Sequence, residues 1–263
     1  MVIISMKGLK RGYIFLVLLF LYLPIIVMTV LSFDGAGPGK DAPFWQNYLD
    51  LFTGDKSETI MNALWVTVSM ALIACVISTI IGTFAAIGID ACSRKVSNLI
   101  INITYIPMVN PDIVTGIAMM LLFVYSRLQL GYFTMLLAHI AFCTPYVIFA
   151  VLPKLQQMSN HIYEAALDLG ATPMQTILRV IIPQIRSGII TGALLAFTLS
   201  IDDFAISFFT TGNGVDNLST YIYSIARTRG VDPVLNALSV LMVISIFGLM
   251  LIINRRADLS DLY

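Results

Sequence analysis

The strongest constraint on this chain is a run of apolar residues that no charge interrupts. From Gly12 to Phe33 the sequence carries no Asp, Glu, Lys or Arg. A helix that crosses the ~30 Å hydrocarbon core of a bilayer needs about 20 mostly apolar residues. A secretory signal has an apolar core of only about 7–15 residues and ends at a small-residue cleavage site. Leu31-Ser32-Phe33-Asp34 is a poor site, so the sequence predicts an uncleaved first span over 12–33. Five similar stretches follow at 60–89, 97–126, 132–153, 188–212 and 234–254. They are continuous rather than alternating in hydropathy, which favours helices over barrel strands. The expected fold class is all-α and integral to the membrane, with six transmembrane helices in a single domain over 1–263.

Composition agrees. Charged residues are 11% of the chain and hydrophobic residues 58%, against about 25% charged in an average soluble domain. Fifteen basic residues balance fifteen acidic ones. A nucleic-acid binder needs a basic excess to neutralise phosphates, and a disordered chain needs low hydrophobicity with high net charge. Both are excluded, as is a soluble enzyme. Cys75, Cys92 and Cys143 show no C-x-x-C spacing and read as small buried hydrophobes rather than a disulfide or zinc framework.

Six spans place both termini on one side, and the excess of Lys and Arg chooses which. With the termini cytoplasmic, ten of the fifteen basic residues fall inside, from Lys7, Lys10 and Arg11 to Arg255 and Arg256. The first outer loop instead carries Asp34, Asp41, Asp50, Asp55 and Glu58. Within that loop Phe44-Trp45-Gln46-Asn47-Tyr48-Leu49 predicts a short interfacial helix with aromatic anchors.

The cytoplasmic loop 154–187 reads as helix, break, helix. Ser159 or Asn160 is placed to cap the first helix, and Gly170 stands where a left-handed C-terminal cap belongs. Thr172 is placed to cap the second, with Pro173 at its first position and Pro183 ending it. The first helix is too short to be stable alone and must dock on something. Glu164 lies near its positive end, whereas Asp168 lies against the dipole at the other. Asp168 has two readings: a solvated acid, or an acid facing a basic partner.

Asp112, Asp202 and Asp203 lie inside the predicted spans, each costing roughly 2.5–3.5 kcal/mol at a helix centre on insertion scales. No Lys or Arg lies mid-span to neutralise them. Such acids mark a cation pathway, or else they snorkel to the outer water. On straight helices, Asp112 and Asp202 both sit about 21–22 Å from the inner surface and share one layer. Asp202 and Asp203 point about 100° apart, so only one squarely faces a given lumen; helical geometry leaves the choice open. Thr198 shares a face with Asp202, and Ser200 and Ser207 share one with Asp203. Pro107, Asn110 and Pro111 interrupt the third span just before Asp112, as a kink or as a break lining a cavity. Phe204, Phe208 and Phe209 follow the acid pair, as packing or as faces for an organic cation. Small residues recur every four positions at Ala74, Ser78, Gly82 and Ala86, and again at Gly188, Gly192 and Ala196, which permits close helix packing.

The loop Glu164-Ala165-Ala166, then Gly170, then Val180-x-Ile182-Pro183 resembles the EAA loop of ABC-importer permeases of the binding-protein-dependent transport family. Val180 and Ile182 depart conservatively from that pattern. The resemblance implies a type I ABC importer permease fold, with Glu164, Ala165, Ala166, Asp168 and Gly170 coupling to a separate ATPase. Thr198–Phe204 with Ser207–Gly212, Asn110–Val114, Ala138–Pro145 and Asp232–Leu238 are similar to spermidine/putrescine (PotC-type) permeases. That likeness implies a polyamine cargo, with Asp112, Asp202, Asp203 and Phe204 along its path. It also implies a heterodimer with a second homologous permease, two ATP-binding subunits and a polyamine-binding protein. The chain has no G-x-x-x-x-G-K-[ST] loop, so ATP-Mg is expected on the partner ATPase and this chain is expected not to be an enzyme. No metal or other cofactor is expected on it.

Three other readings compete. A permease for another cationic amine or amino acid fits the same acids. A proton-coupled secondary transporter would also use membrane carboxylates but has no need of the Glu164–Pro183 loop. An intramembrane protease would want G-x-S-G, H-E-x-x-H or G-x-G-D, none of which occurs; His139 and His161 have no such context.

Overall fold

A computed structural model describes residues 2–33, 43, 45–159, 161–212, 214–229 and 233–260. Phe44 of the predicted aromatic run, Asn160 of the predicted cap and the extreme termini lie outside the described residues. The described residues are helical throughout their ordered elements. Two compact units emerge, Met1–Met61 with Ile222–Tyr263, and Asn62–Tyr221.

In the first unit, α1 (Val2–Ser32) packs on α13 (Pro233–Ser260), and α13 packs on α2 (Gln46–Thr53). α2 is the expected short helix, starting after Trp45. Its attachment to the end of α1 is specific: Asn47 Nδ2 donates to the Ser32 carbonyl at 2.8 Å, and the Ser32 and Tyr48 hydroxyls lie 2.8 Å apart. The Phe33 and Tyr48 rings meet at 5.2 Å between centroids. Along α1 the apolar side chains from Tyr13 to Val30 are largely exposed, Phe20 at 74%. A surface of that kind is tolerated in hydrocarbon and not in water.

The second unit holds most of α3 (Ser57–Asp90), then α4 (Arg94–Val109), α5 (Asp112–Tyr125) and α6 (Tyr132–Gln156). It continues through the loop helices to α10 (Arg186–Asp202), α11 (Ala205–Thr210) and the start of α12 (Leu218–Arg229). Its centre is α6 against α10. The stripe of small residues makes that approach possible. A Cβ on Gly192 would stand 3.1 Å from Val147 Cγ1, and one on Gly188 3.0 Å from the Ala150 carbonyl. On α3 a Cβ at Gly82 would stand 2.7 Å from both Cβ and Cγ1 of Val147. Val147, Val151, Ala138, Cys143, Ile185, Ala196 and Ile206 are wholly buried here. The Cys75 thiol donates to the Ala193 carbonyl at 3.1 Å and the Cys143 thiol to that of Ala196 at 3.4 Å. Cys92 departs from the expectation: it is exposed, because it falls past the end of α3.

Among the described residues three helices are long and apolar enough to cross a membrane: Lys10–Ser32, Ser57–Asp90 and Tyr132–Gln156. Counting each of two bent helix pairs as one span gives five, and Pro233–Gly248 is a shorter apolar stretch inside the sixth predicted span. The straight third span is corrected. Residues 97–126 form two helices, α4 and α5, bent by 104°. Pro111 is the cause: the residue before a proline is driven out of the helical region. Asn110 accordingly sits at φ −68°, ψ 140°, and α4 stops there. The depth argument from a straight helix therefore does not apply to Asp112. The straight fifth span, 188–212, is corrected too. α10 ends at Asp202, Asp203 is extended at φ −67°, ψ 127°, and α11 starts anew at Ala205. By contrast α6 continues through Pro145 and Pro153.

Candidate functional site

The cytoplasmic loop forms as its local chemistry dictates. α7 (His161–Asp168) ends at Gly170, whose φ of +86° only glycine adopts without strain. The Gly170 N–H donates to the Leu167 carbonyl at 2.8 Å and the Ala171 N–H to that of Ala166 at 3.1 Å, a Schellman closure. α8 (Pro173–Thr176) opens with a reciprocal capping box. The Gln175 N–H donates to Thr172 Oγ1 at 3.4 Å, and the Thr172 N–H donates to Gln175 Oε1 at 3.0 Å. A π-helical turn, Ile177–Ile181, and α9 (Ile182–Gln184) follow, so the helix runs just past Pro183 before turning by 76° into α10. A proline clashes with the carbonyl four residues back, and a widened turn there relieves it. On α7 Ala166 is buried, whereas Glu164, Ala165, Asp168 and Gly170 are exposed, with Glu164 Oε2 3.6 Å from His161 Nδ1. Leu169 is 89% exposed, and Met174 and Leu178 are exposed beside it. The loop therefore presents exposed apolar side chains next to α7 in sequence.

A second site lies where the two broken segments meet α6. A cavity of about 150 Å³ is lined by Asp112, Phe142, Thr198, Leu199, Asp202 and Asp203. Asp112 is the first residue of α5 and Asp202 the last of α10; both are exposed. These placements differ electrostatically. A carboxylate at a helix N-terminus is favoured by the dipole, typically by about 0.3–1 kcal/mol. Asp202 stands at the opposite end, where the last carbonyls of α10 already concentrate negative charge. A cation beside Asp202 would relieve that. Three of the six lining residues are acids and none is basic.

Asp203 is different. It is buried, and its carboxylate accepts from two backbone donors at the start of α11, Ile206 N–H at 3.2 Å and Ser207 N–H at 2.7 Å. Its Oδ2 lies 3.5 Å from His139 Nε2. Asp203 thus caps a helix from inside the protein, and Asp202 is the acid of the pair exposed at the cavity. Thr198, one turn before Asp202, lines the cavity with it, as the shared face predicted. Phe204 is half-buried and stacks with Phe208 at 5.4 Å, and the aromatic wall of the cavity is Phe142.

Sequence reasoning passed over His139. It is fully buried, with Nδ1 2.7 Å from Ser200 Oγ and Nε2 2.9 Å from Ser207 Oγ. Asn217 Nδ2 donates to the same Ser207 oxygen at 2.7 Å. A signal existed: a histidine in an apolar run must find partners, since an unpaired buried polar group is costly. Among the described residues no cluster of His, Cys, Asp or Glu is arranged to hold a metal ion.

Comparison with known proteins identifies the assembly type. Over 238 residues the chain is 33% identical to the spermidine/putrescine transport system permease protein PotC of Haemophilus influenzae, covering 90% of this chain and 91% of that one. It is 34% identical over 232 residues to the putrescine transport system permease protein PotI of Escherichia coli, covering 85% and 81%. Its fold matches a bacterial ABC transporter that imports the acidic polysaccharide alginate, with a TM-score of 0.72 at 16% identity over 97% of this chain and 95% of that one. It also matches the inward-facing MetNI methionine ABC transporter, with a TM-score of 0.65 at 18% identity over 77% and 96%. The fold is therefore the all-α, multi-pass membrane fold of type I ABC importer permeases. The chain is a non-catalytic, inner-membrane permease subunit of an ABC-type importer, an architecture in which ATP-Mg is used by separate subunits. Residues 78–261 match the binding-protein-dependent transport system inner membrane component, and the chain belongs to that family.

Proposed function

We propose that this permease passes polyamines, spermidine or putrescine, received from an extracytoplasmic binding protein. The observation that carries the reading is the cavity: Asp112 and Asp202 exposed in it, the buried Asp203 also in its lining, an aromatic wall at Phe142, and no basic residue in that lining. A linear polycation is the complement of such a lining, and an anion is not. The names of the PotC and PotI relatives agree with a polyamine. The fold alone does not choose, because the alginate and methionine transporters share it. Another cationic amine fits the same acids and is the reading that a substrate screen must separate.

In the proposed assembly the chain crosses the membrane six times with both termini cytoplasmic. It pairs with a second, homologous permease, and two ATP-binding subunits dock on the cytoplasmic face. Glu164, Ala165, Ala166 and Asp168 of α7, with Gly170 at its end, form the docking segment, for which the exposed Leu169, Met174 and Leu178 supply apolar area. ATP-driven closure of the ATPases moves α7, and through α8, the π-helical turn and α9 moves α10, whose last residue is Asp202. Movement at the cytoplasmic loop thus reaches the cavity along one continuous stretch of chain. The test is ATPase stimulation in the reconstituted complex, screened against spermidine, putrescine, lysine, arginine and neutral amino acids with their binding proteins. Stimulation by polyamines above the others is expected. Stimulation by an amino acid alone would reject the polyamine assignment.

A further inference from the structure

We propose that His139 is a positioning residue, one that ties together the two sides of the chain break after Asp202 and so fixes that carboxylate in the cavity. The inference rests on the cation reading of the cavity given above. Neither proline nor glycine occurs between Asp202 and Ala205, and the local device at the break, the Asp203 carboxylate, caps only the α11 side. Yet Asp202 is the last residue of one helix, and the next begins only three positions later. What joins the two is a side chain from α6. His139 Nδ1 meets Ser200 on α10 at 2.7 Å, and Nε2 meets Ser207 on α11 at 2.9 Å. The carboxylate of Asp203, 3.5 Å from Nε2, favours a proton on that nitrogen. Nδ1 then accepts from the Ser200 hydroxyl. Asn217 donates to Ser207 from the far side at 2.7 Å and holds the second anchor. Ser200, Ser207 and Asn217 are buried with His139, so each bond is shielded from water.

The network stands directly behind the cavity wall. Phe142, one turn along α6 from His139, lines the cavity, as does Leu199, the neighbour of Ser200. Asp202 itself makes none of these bonds. It is held because Ser200 is anchored two positions before it and Asp203 one position after it. Gly116 on α5 gives α11 a close seat: a Cβ there would stand 3.0 Å from the Ala205 carbonyl. The start of α11 is thus fixed against the helix that carries Asp112.

The test uses the complete importer, reconstituted with its binding protein, and radiolabelled putrescine uptake. His139→Phe keeps a planar aromatic ring, somewhat larger than imidazole, and removes both bonds. His139→Gln puts an amide near the position of Nε2 and keeps the α11 side, and His139→Asn keeps the α10 side. A misplacement of about 1 Å at a reacting or binding group costs up to about a hundredfold. His139→Phe is therefore expected to raise the half-saturating concentration about tenfold or more, with maximal rate and assembly near wild type. Gln and Asn are expected to recover part of that loss. Asp202→Asn is measured alongside. If His139 acts through Asp202, the double variant His139→Phe/Asp202→Asn is no worse than Asp202→Asn alone. Unchanged half-saturation in assembled His139→Phe, full additivity in the double variant, or failure of all three His139 variants to assemble would each overturn the proposal. A raised half-saturation in Asp202→Asn with none in His139→Phe rejects the positioning role alone. No effect in Asp202→Asn rejects the cavity reading as well.

Discussion

Adjacent aspartates at the end of α10 are expected to behave oppositely when each is neutralised. Asp203→Asn replaces a carboxylate that accepts two backbone N–H groups, at 3.2 and 2.7 Å, by an amide with one accepting oxygen. One buried donor at the start of α11 loses its partner. A hydrogen bond to a charged group contributes about 1.5–3 kcal/mol, and an orphaned buried donor costs about 1–3 kcal/mol. The amide NH₂ would also stand against a backbone N–H. A net loss of about 2–4 kcal/mol follows. At about 2–4 °C per kcal/mol for a chain of this size class, melting should fall by about 4–16 °C. Asp202→Asn changes an exposed side chain with no described hydrogen bond, and such changes stay within about 0.5 kcal/mol. The assay is thermal unfolding of the purified complex in detergent, with the two variants side by side. Asp203→Asn should melt well below wild type, and Asp202→Asn should melt at the wild-type temperature. Equal melting of the two variants would refute the division of labour, as would a larger drop for Asp202→Asn.

Three further outcomes are expected. Gly82→Ala should destabilise by about 1–3 kcal/mol, the range for overpacking. Its Cβ would lie 2.7 Å from a branched Val147 side chain that has no room to swing away, and a wild-type melting curve would contradict this. Gly170→Pro should uncouple ATP hydrolysis from transport, because φ +86° is closed to proline and the turn after α7 is lost. An unchanged ratio of transport to hydrolysis would count against the docking assignment. Asp112→Asn should lower polyamine uptake without lowering the yield of assembled complex, and the two are read from the same membranes.

The local punctuation of the fold was legible in the sequence. Asn110-Pro111 ends α4 and Thr172-Pro173 opens α8 because each proline restricts its own and its neighbour's backbone. Gly170 closes α7 because the turn needs φ above zero. The face shared by Thr198 and Asp202 was legible too, whereas the Ser200 and Ser207 hydroxyls come near Asp203 through His139, across a break in the helix. What escaped was direction. Hydropathy measures how long an apolar run is, and the 104° turn between α4 and α5 leaves that length unchanged. The break after Asp202 escaped because the side chain that bonds to both sides of it, His139, lies 61 residues before Ser200. With α10 read as continuous, the choice between Asp202 and Asp203 had no answer. With the helix ended between them, both acids line the cavity, but Asp202 is exposed there while Asp203 is buried and caps the next helix. Phe142 does not stand out because one apolar residue in a span looks like another, whereas Phe204 stands out by its place next to the acids and within the family-like segment Thr198–Phe204.

The central claim is that a cation passes beside Asp112 and Asp202. Two unit charges about 4 Å apart attract by about 1 kcal/mol in water and about 4 kcal/mol at the effective dielectric of a protein surface. The direct measurement is initial uptake of putrescine and spermidine, at concentrations below saturation, into proteoliposomes that carry the complete importer with Asp112→Asn/Asp202→Asn. The account predicts uptake reduced about tenfold or more, with the complex assembled and its basal ATPase intact. Uptake at the wild-type rate by that assembled double variant would contradict it.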